Sequence, residues 1–258
     1  MNTGFYSAFS GFAARMDALD VLANNLANTN TTGFKSQKEF YRSFFASLAN
    51  EQPVPQPATV TAALNNALHQ FGGLAGSQLD LSQGTLESTG NDTDLAIEGK
   101  GFFAVLTANG VRYTRNGSLH LDTQRQLVTE QGDPVLSQQP AGRNEPIRVP
   151  SGKVTVSSDG SITVDGGLVA KLRVDDFPPS TALAPEGASY FVAPAGAKAT
   201  ASSASLRQGM LESSNSDPVH STVALIDLQR TAQMMEKALS IFHNEFNRSA
   251  AQDLPRVQ

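Results

Sequence analysis

The sequence predicts an α+β protein: long N- and C-terminal helices forming a coiled-coil inner region, with a central all-β domain of hairpins between them. Three observations carry this reading. Apolar residues recur at alternating steps of 3 and 4 near both ends of the chain. Between those runs the apolar period falls to 2, the alternation of a half-buried strand. The alternating segments are separated by Asn-Gly and Asp-Gly pairs, whose readiness for positive φ makes them strong short-range hairpin signals.

The first helix is expected over residues 3–28. Phe5, Phe9, Phe12, Met16, Leu19, Ala23 and Leu26 form an apolar seam of heptad type, and Thr3 is placed to cap its start. An asparagine-rich stretch closes it, "ANNLANTNTTGFKSQ", residues 23–37. Asn28 and Asn30 tolerate the left-handed region and are expected to end the helix, while Gly33, followed by Phe34, supplies a free φ for the turn. Asn24 and Asn25 fall inside the helix, where asparagine is a poor helix former. Their expected gain is hydrogen bonding to neighbouring helices once water is excluded. One buried polar site in a seam fixes register at some cost in stability.

Residues 49–84 are proline-spaced, then glycine-rich, and read as a linker or extension. The all-β domain is expected over 85–212. Phe102–Leu106, Val111–Arg115, Ser118–Leu121, Lys153–Val156, Ser161–Val164 and Leu168–Val174 are its strands. Asn109-Gly110, Asn116-Gly117, Asp159-Gly160 and Asp165-Gly166 are its turns, and residues 178–189 read as a surface loop. The last helix is expected over 218–248, with Asp217 as N-cap and Pro218 at N1, where its missing N–H costs nothing. Its seam is Leu225, Leu228, Ala232, Met235, Leu239, Phe242 and Phe246. The domains are therefore 1–48, helix and turn; 49–84, linker; 85–212, β; and 213–258, helix. The tail from Asp253 is expected to be loose.

The chain's 258 residues suffice for a sizeable core. The formal charge of −5 is uneven. Both ends are close to neutral and the acid lies in the middle, so nothing matches the basic footprint of a nucleic-acid binder. There is no cysteine, which removes disulfides, thiolate metal sites and a Cys nucleophile. No apolar run approaches the roughly eighteen residues of a membrane span, so no membrane insertion is expected. The N-terminus lacks a basic segment followed by an apolar stretch, so no cleaved signal peptide is expected.

Catalytic patterns are missing as well. His69, His120, His220 and His243 lack ligand spacing. "EGKGFF" is no phosphate-binding loop and reads as a glycine turn between strands. Asn91-Asp92-Thr93-Asp94 lacks the glycine and glutamate of a calcium loop and reads as a capped turn. No G-x-S-x-G occurs. No cofactor and no enzymatic activity are expected. Lys35, Lys38 and Arg42 read as a solvated face, or else as salt contacts to an acidic β domain of a neighbouring subunit.

A strict seam in water is stable only when covered. The simplest cover within one molecule is the first helix against the last. Burial is worth about 1.5–3 kcal/mol per large apolar side chain and outweighs the ordering cost only when nearly complete. Two helices leave much of each seam half-open; helices from other copies would close it.

Three segments carry a resemblance. "LANNLANTNTTGFKSQ" resembles the signature of flagellar rod, hook and hook-associated axial proteins. Residues 94–136 resemble the central segment of the flagellar basal-body rod family, and residues 206–239 its C-terminal segment. "TGFYSAFSGF" and "EKALSIFHNEFNR" look closer to the family's proximal-rod type than to its distal-rod type. The resemblance implies a structural subunit of a helical tube, with terminal helices inside and the β domain outside. It also implies copies of itself and other rod and hook proteins as partners, export through the flagellar type III apparatus, and termini that fold on assembly. The candidate assembly interface is Phe5, Phe9, Phe12, Met16, Leu19, Asn24, Asn25, Leu26, Asn28, Gly33, Phe34, Leu225, Leu228, Met235, Leu239, Phe242 and Phe246. Two other readings are a monomeric periplasmic β-domain binding module with a helical stalk and, far behind, a peptidoglycan-cutting enzyme.

Overall fold

The structure is a computed structural model that describes residues 2–43, 72–139, 144–187 and 189–253. The chain divides into a helical unit (residues 1–24, 37–78 and 219–258) and a β unit (residues 25–36 and 79–218). Most of the stretch read as linker, and the tail from residue 254, lie outside the described residues.

Helix α1 is Asn2–Ala27 and α2 is Pro218–Asp253. The helical unit also contains the strand Gln37–Ser43 paired with Gly72–Leu79. Neither strand shows apolar alternation: one is mostly charged and polar, the other rich in glycine. The second lies within residues 49–84, where the sequence predicts a linker or extension.

The β unit is organised around a six-stranded sheet. Its order is Ala184–Glu186, Tyr190–Val192, Gly110–Thr114, Phe102–Thr107, Val174–Asp176 and Thr200–Ala201, and its neighbours are antiparallel. Phe102–Thr107 is apolar on both faces because it divides two cores. Phe103 and Val105 join Leu95, Ile97, Leu119 and Ile162 on one side. Phe102 and Ala104 join Tyr113, Phe177 and Phe191 on the other. In the second core the Tyr113 and Phe177 rings meet edge-on at 4.8 Å, a favourable arrangement of their quadrupoles.

Val154–Val156, Ser161–Val164 and Gly167–Lys171 form a three-stranded meander. Its turns are the expected Asp-Gly pairs, and Asp165 and Gly166 both take positive φ (50° and 85°). Asn109-Gly110 likewise joins paired strands. Asn116-Gly117 turns the chain but does not make a hairpin, because Leu119–Leu121 pairs forward with Leu127–Thr129. The segment expected as a surface loop contains the strand Ala184–Glu186, held by Tyr190–Val192.

Two short ladders bring distant segments together. Leu95–Glu98 pairs with Ser205–Gln208, and Leu86–Ser88 pairs with Met210–Glu212. The second delivers Glu212, at the C-terminal end of the β unit, to the chain's N-terminal turn.

Candidate assembly surfaces and the charged clasp

The β unit holds a buried charged cluster built from three remote segments. The Lys35 ammonium donates to Glu212 Oε1 and to the Ser82 carbonyl, both at 2.6 Å. Arg115 Nη1 donates to Glu212 Oε2 at 3.0 Å, and its Nη2 donates to the Gly99 carbonyl at 2.7 Å. The Gly84 N–H also reaches Glu212 Oε1, at 2.9 Å. Relative exposures are 1% for Lys35, 3% for Arg115 and 0% for Glu212. Burial pushes the Lys35 ammonium and the Arg115 guanidinium below their ordinary pKa ranges, and Glu212 opposes both shifts.

Lys35 is thus no part of a solvated face, and its charge is spent inside its own chain. Two cations out of water need an anion with several acceptor sites, and one carboxylate provides them.

Backbone hydrogen bonds fix the same joint. The Gly33 N–H donates to the Glu212 carbonyl at 2.7 Å. The Ser36 N–H donates to Asn215 Oδ1 at 2.8 Å, and Asn215 Nδ2 donates to the Asp80 carbonyl at 2.7 Å. Gly33 takes φ 68°, and a Cβ there would lie 2.3 Å from the Arg115 backbone. Glycine is therefore required both by conformation and by space.

The end of α1 differs from expectation. Asn28 and Asn30 do not take positive φ. The Thr29 hydroxyl closes the helix instead, donating to the Leu26 carbonyl at 2.8 Å and lying 3.3 Å from that of Asn25. Asn28 Oδ1 accepts from the Thr31 hydroxyl at 3.1 Å. The Thr29 hydroxyl serves the last-turn carbonyls, and among the described residues none before Gly33 takes a left-handed conformation.

In the helical unit, α1 meets α2 where Gly11 faces Met235, a contact the apolar spacing does not predict. A Cβ on Gly11 would lie 3.3 Å from Met235 Cε. Gly11 shares its face with Ala14 and Ala18, which are 5% and 0% exposed. The only sequence signal was their spacing of 3 and 4.

Of the α1 seam, Phe9 (55%) and Met16 (43%) are exposed. Phe12, Leu19 and Leu26 are half-buried, and Ala23 is exposed. Asn24 is exposed, Asn25 buried and Asn28 half-buried. Gly33 and Phe34 are buried in the β unit. On α2, Leu225, Leu228, Met235 and Leu239 are half-buried around the buried Ala232. Phe5, Phe242 and Phe246 lie on the helices, with side chains outside the described residues. A second apolar set, Val219, Val223, Ile226, Met234 and Ile241, is exposed on α2. Helical rotation of about 100° per residue puts it on the side opposite the seam.

Among the described residues no group of three or more His, Asp or Glu is placed to hold a metal ion, and no helix is long and apolar enough to cross a membrane.

These features define a structural class: a β unit that clasps both chain roots in one buried ionic joint and continues from them into two long helices. Three family descriptions match in chain order. They are Flagella basal body rod protein over residues 5–35, Flagellar hook protein FlgE/F/G D1 domain over 96–164, and Flagellar basal body rod FlgEFG protein C-terminal over 207–244. The flagellar basal-body rod protein FlgF of Caulobacter vibrioides is 32% identical over the full length of both chains. FlgG of Borreliella burgdorferi is 30% identical over 95% of this chain and 96% of its own. FlgG of Caulobacter vibrioides is 33% identical over 91% of this chain and 93% of its own. The chain belongs to the flagellar basal-body rod protein family, of the FlgF/FlgG type. Relatives of both names match at nearly the same level, so the similarity favours neither the proximal-rod nor the distal-rod type.

Proposed function

We propose that this chain is a structural subunit of the bacterial flagellar basal-body rod, polymerising through its terminal helices into a helical tube that transmits torque across the periplasm. Its partners are copies of itself and other rod and hook proteins, and it reaches the rod through the flagellar type III export apparatus without a cleaved signal peptide. Its work is geometric and mechanical, with no catalysis and no cofactor.

Full-length similarity to rod proteins carries the reading, supported by the apolar side chains that both helices leave in water. Exposed apolar surface arranged in stripes marks an interaction surface. The inner helical region is a coiled coil completed by neighbouring subunits, in which the candidate interface residues take part.

The test is complementation of a strain lacking this chain. Phe12→Asp and Leu239→Asp are each expected to abolish swimming, while circular dichroism shows the β signature retained. Motile cells carrying either variant would show that the seams are no assembly surface.

A further inference from the structure

We infer that the clasp is a latch: the β unit shuts over its N-terminal turn only when the segment carrying Glu212 has arrived, and until then repulsion between two cations holds it open. The use of such a latch rests on the rod-subunit reading. A chain delivered end first by an export apparatus stays open until both ends of the β unit are through.

Glu212 ties the joint twice. Its side chain takes Lys35 and Arg115 on separate oxygens, and its backbone carbonyl takes the Gly33 N–H. Residues 33–36 lie in the slot around it. Phe34 is 5% exposed, and the Asp80 N–H donates to the Ser36 carbonyl at 2.8 Å. Asn215 accepts from the Ser36 N–H and donates to the Ser82 carbonyl. Glu212 arrives by the ladder of Leu86–Ser88 with Met210–Glu212, which joins the two ends of the unit. Contacts so remote in sequence close later than local hairpins such as Phe102–Thr107 with Gly110–Thr114.

Before that ladder closes, Lys35 and Arg115 lack the carboxylate that lets them share a dry site. Burial does most to lower the Lys35 pKa, Glu212 opposes it, and the Arg115 charge lowers it further. Asp80 also attracts Lys35, but less strongly than Arg115 repels it. Asp176 attracts Arg115, again less strongly than Glu212 does. These two acids therefore do not stand in for Glu212, and two like charges at low dielectric keep the slot from closing.

Pulse-labelled hydrogen exchange during refolding of the full chain reads the order. Residues 32–36 are expected to gain protection together with residues 210–212 or after them. Protection of 32–36 before 210–212 overturns the latch.

Substitution in the full chain tests the repulsion. Glu212→Gln is expected to lose exchange protection at Gly33 and Ser36, and adding Lys35→Met to restore it. The Ser82 carbonyl, which Lys35 would vacate, keeps a donor in Asn215. Were Glu212 merely an acceptor in a packed core, removing Lys35 as well would take away further bonds and protection would fall again. That result, or full protection in Glu212→Gln alone, overturns the latch. Should Glu212→Gln unfold the whole β unit, the double variant still decides, because recovery on removing Lys35 follows from repulsion and not from packing. Absence of the wild-type chain from isolated basal bodies would overturn the rod reading and leave the exchange results untouched.

Discussion

Glu212 shows how much one side chain can hold. It is fully buried between two cations, and truncating it would leave Lys35 and Arg115 without their counter-charge. Breaking a buried pair costs about 3–5 kcal/mol, and Glu212→Ala is expected to destabilise the β unit by that order in denaturant unfolding of the monomer. Glu186, by contrast, faces Arg112 while 41% exposed. Such pairs are worth about 0–1 kcal/mol, so Glu186→Ala is expected to change little. Equal effects would mean that the clasp is no more than a surface pair.

Tyr190 gives the pH dependence at this scale. Burial pushes its phenol well above the ordinary range, and Asp133, 2.8 Å away, adds to the shift. A raised folded pKa means that the unfolded chain loses this proton first. The contribution is complete below about pH 10, the ordinary tyrosine value, and is lost as pH climbs from there through the raised value. Tyr190→Phe is expected to remove one late-ionising phenol from the alkaline absorbance titration and to flatten the stability loss above that pH. An unchanged titration would remove the basis for this assignment.

At the scale of elements, the local signals were legible and the remote ones were not. Asp165-Gly166 announced a two-residue turn, which needs positive φ at both positions, and Asp159-Gly160 announced the end of a longer loop in which Gly160 alone takes positive φ (87°). The helices announced themselves by period, and Pro218 marked the start of α2. Gln37–Ser43 with Gly72–Leu79 gave no signal, because neither has an alternating apolar face. The clasp was invisible for another reason. Lys35 and Glu212 are 177 positions apart, and nothing local distinguishes a lysine that will be buried from one that will be solvated. Likewise the spacing identified α1's large apolar row but not that glycine and alanine would form its inner face.

Gly117 belongs to this scale too. A Cβ there would lie 1.6 Å from the Leu95 carbonyl oxygen, whereas at Gly167 the nearest atom would be 3.5 Å away. Overpacking against backbone costs about 1–3 kcal/mol, so Gly117→Ala is expected to lower the thermal midpoint and Gly167→Ala to leave it nearly unchanged. Comparable midpoints for the two would show that the Leu95 strand can move aside.

Over the whole molecule the two units have different economies. The β unit closes its two cores and its charges within one chain. Among the described residues, the helical unit leaves apolar side chains exposed on both helices, Phe9 and Met16 on α1 and Ile226, Met234 and Ile241 on α2. Bulk composition suggested that division, with near-neutral ends around an acidic middle. It did not show which rows a single copy covers.

The most direct test is to quantify this chain in purified basal bodies from cells making the wild type or the double variant Phe9→Asp, Met16→Asp. The outward α1 face predicts that the wild type is present and the variant absent, although the variant is exported in equal amount with its β unit folded. Incorporation of the variant at the wild-type level would contradict the claim that these helices join subunits.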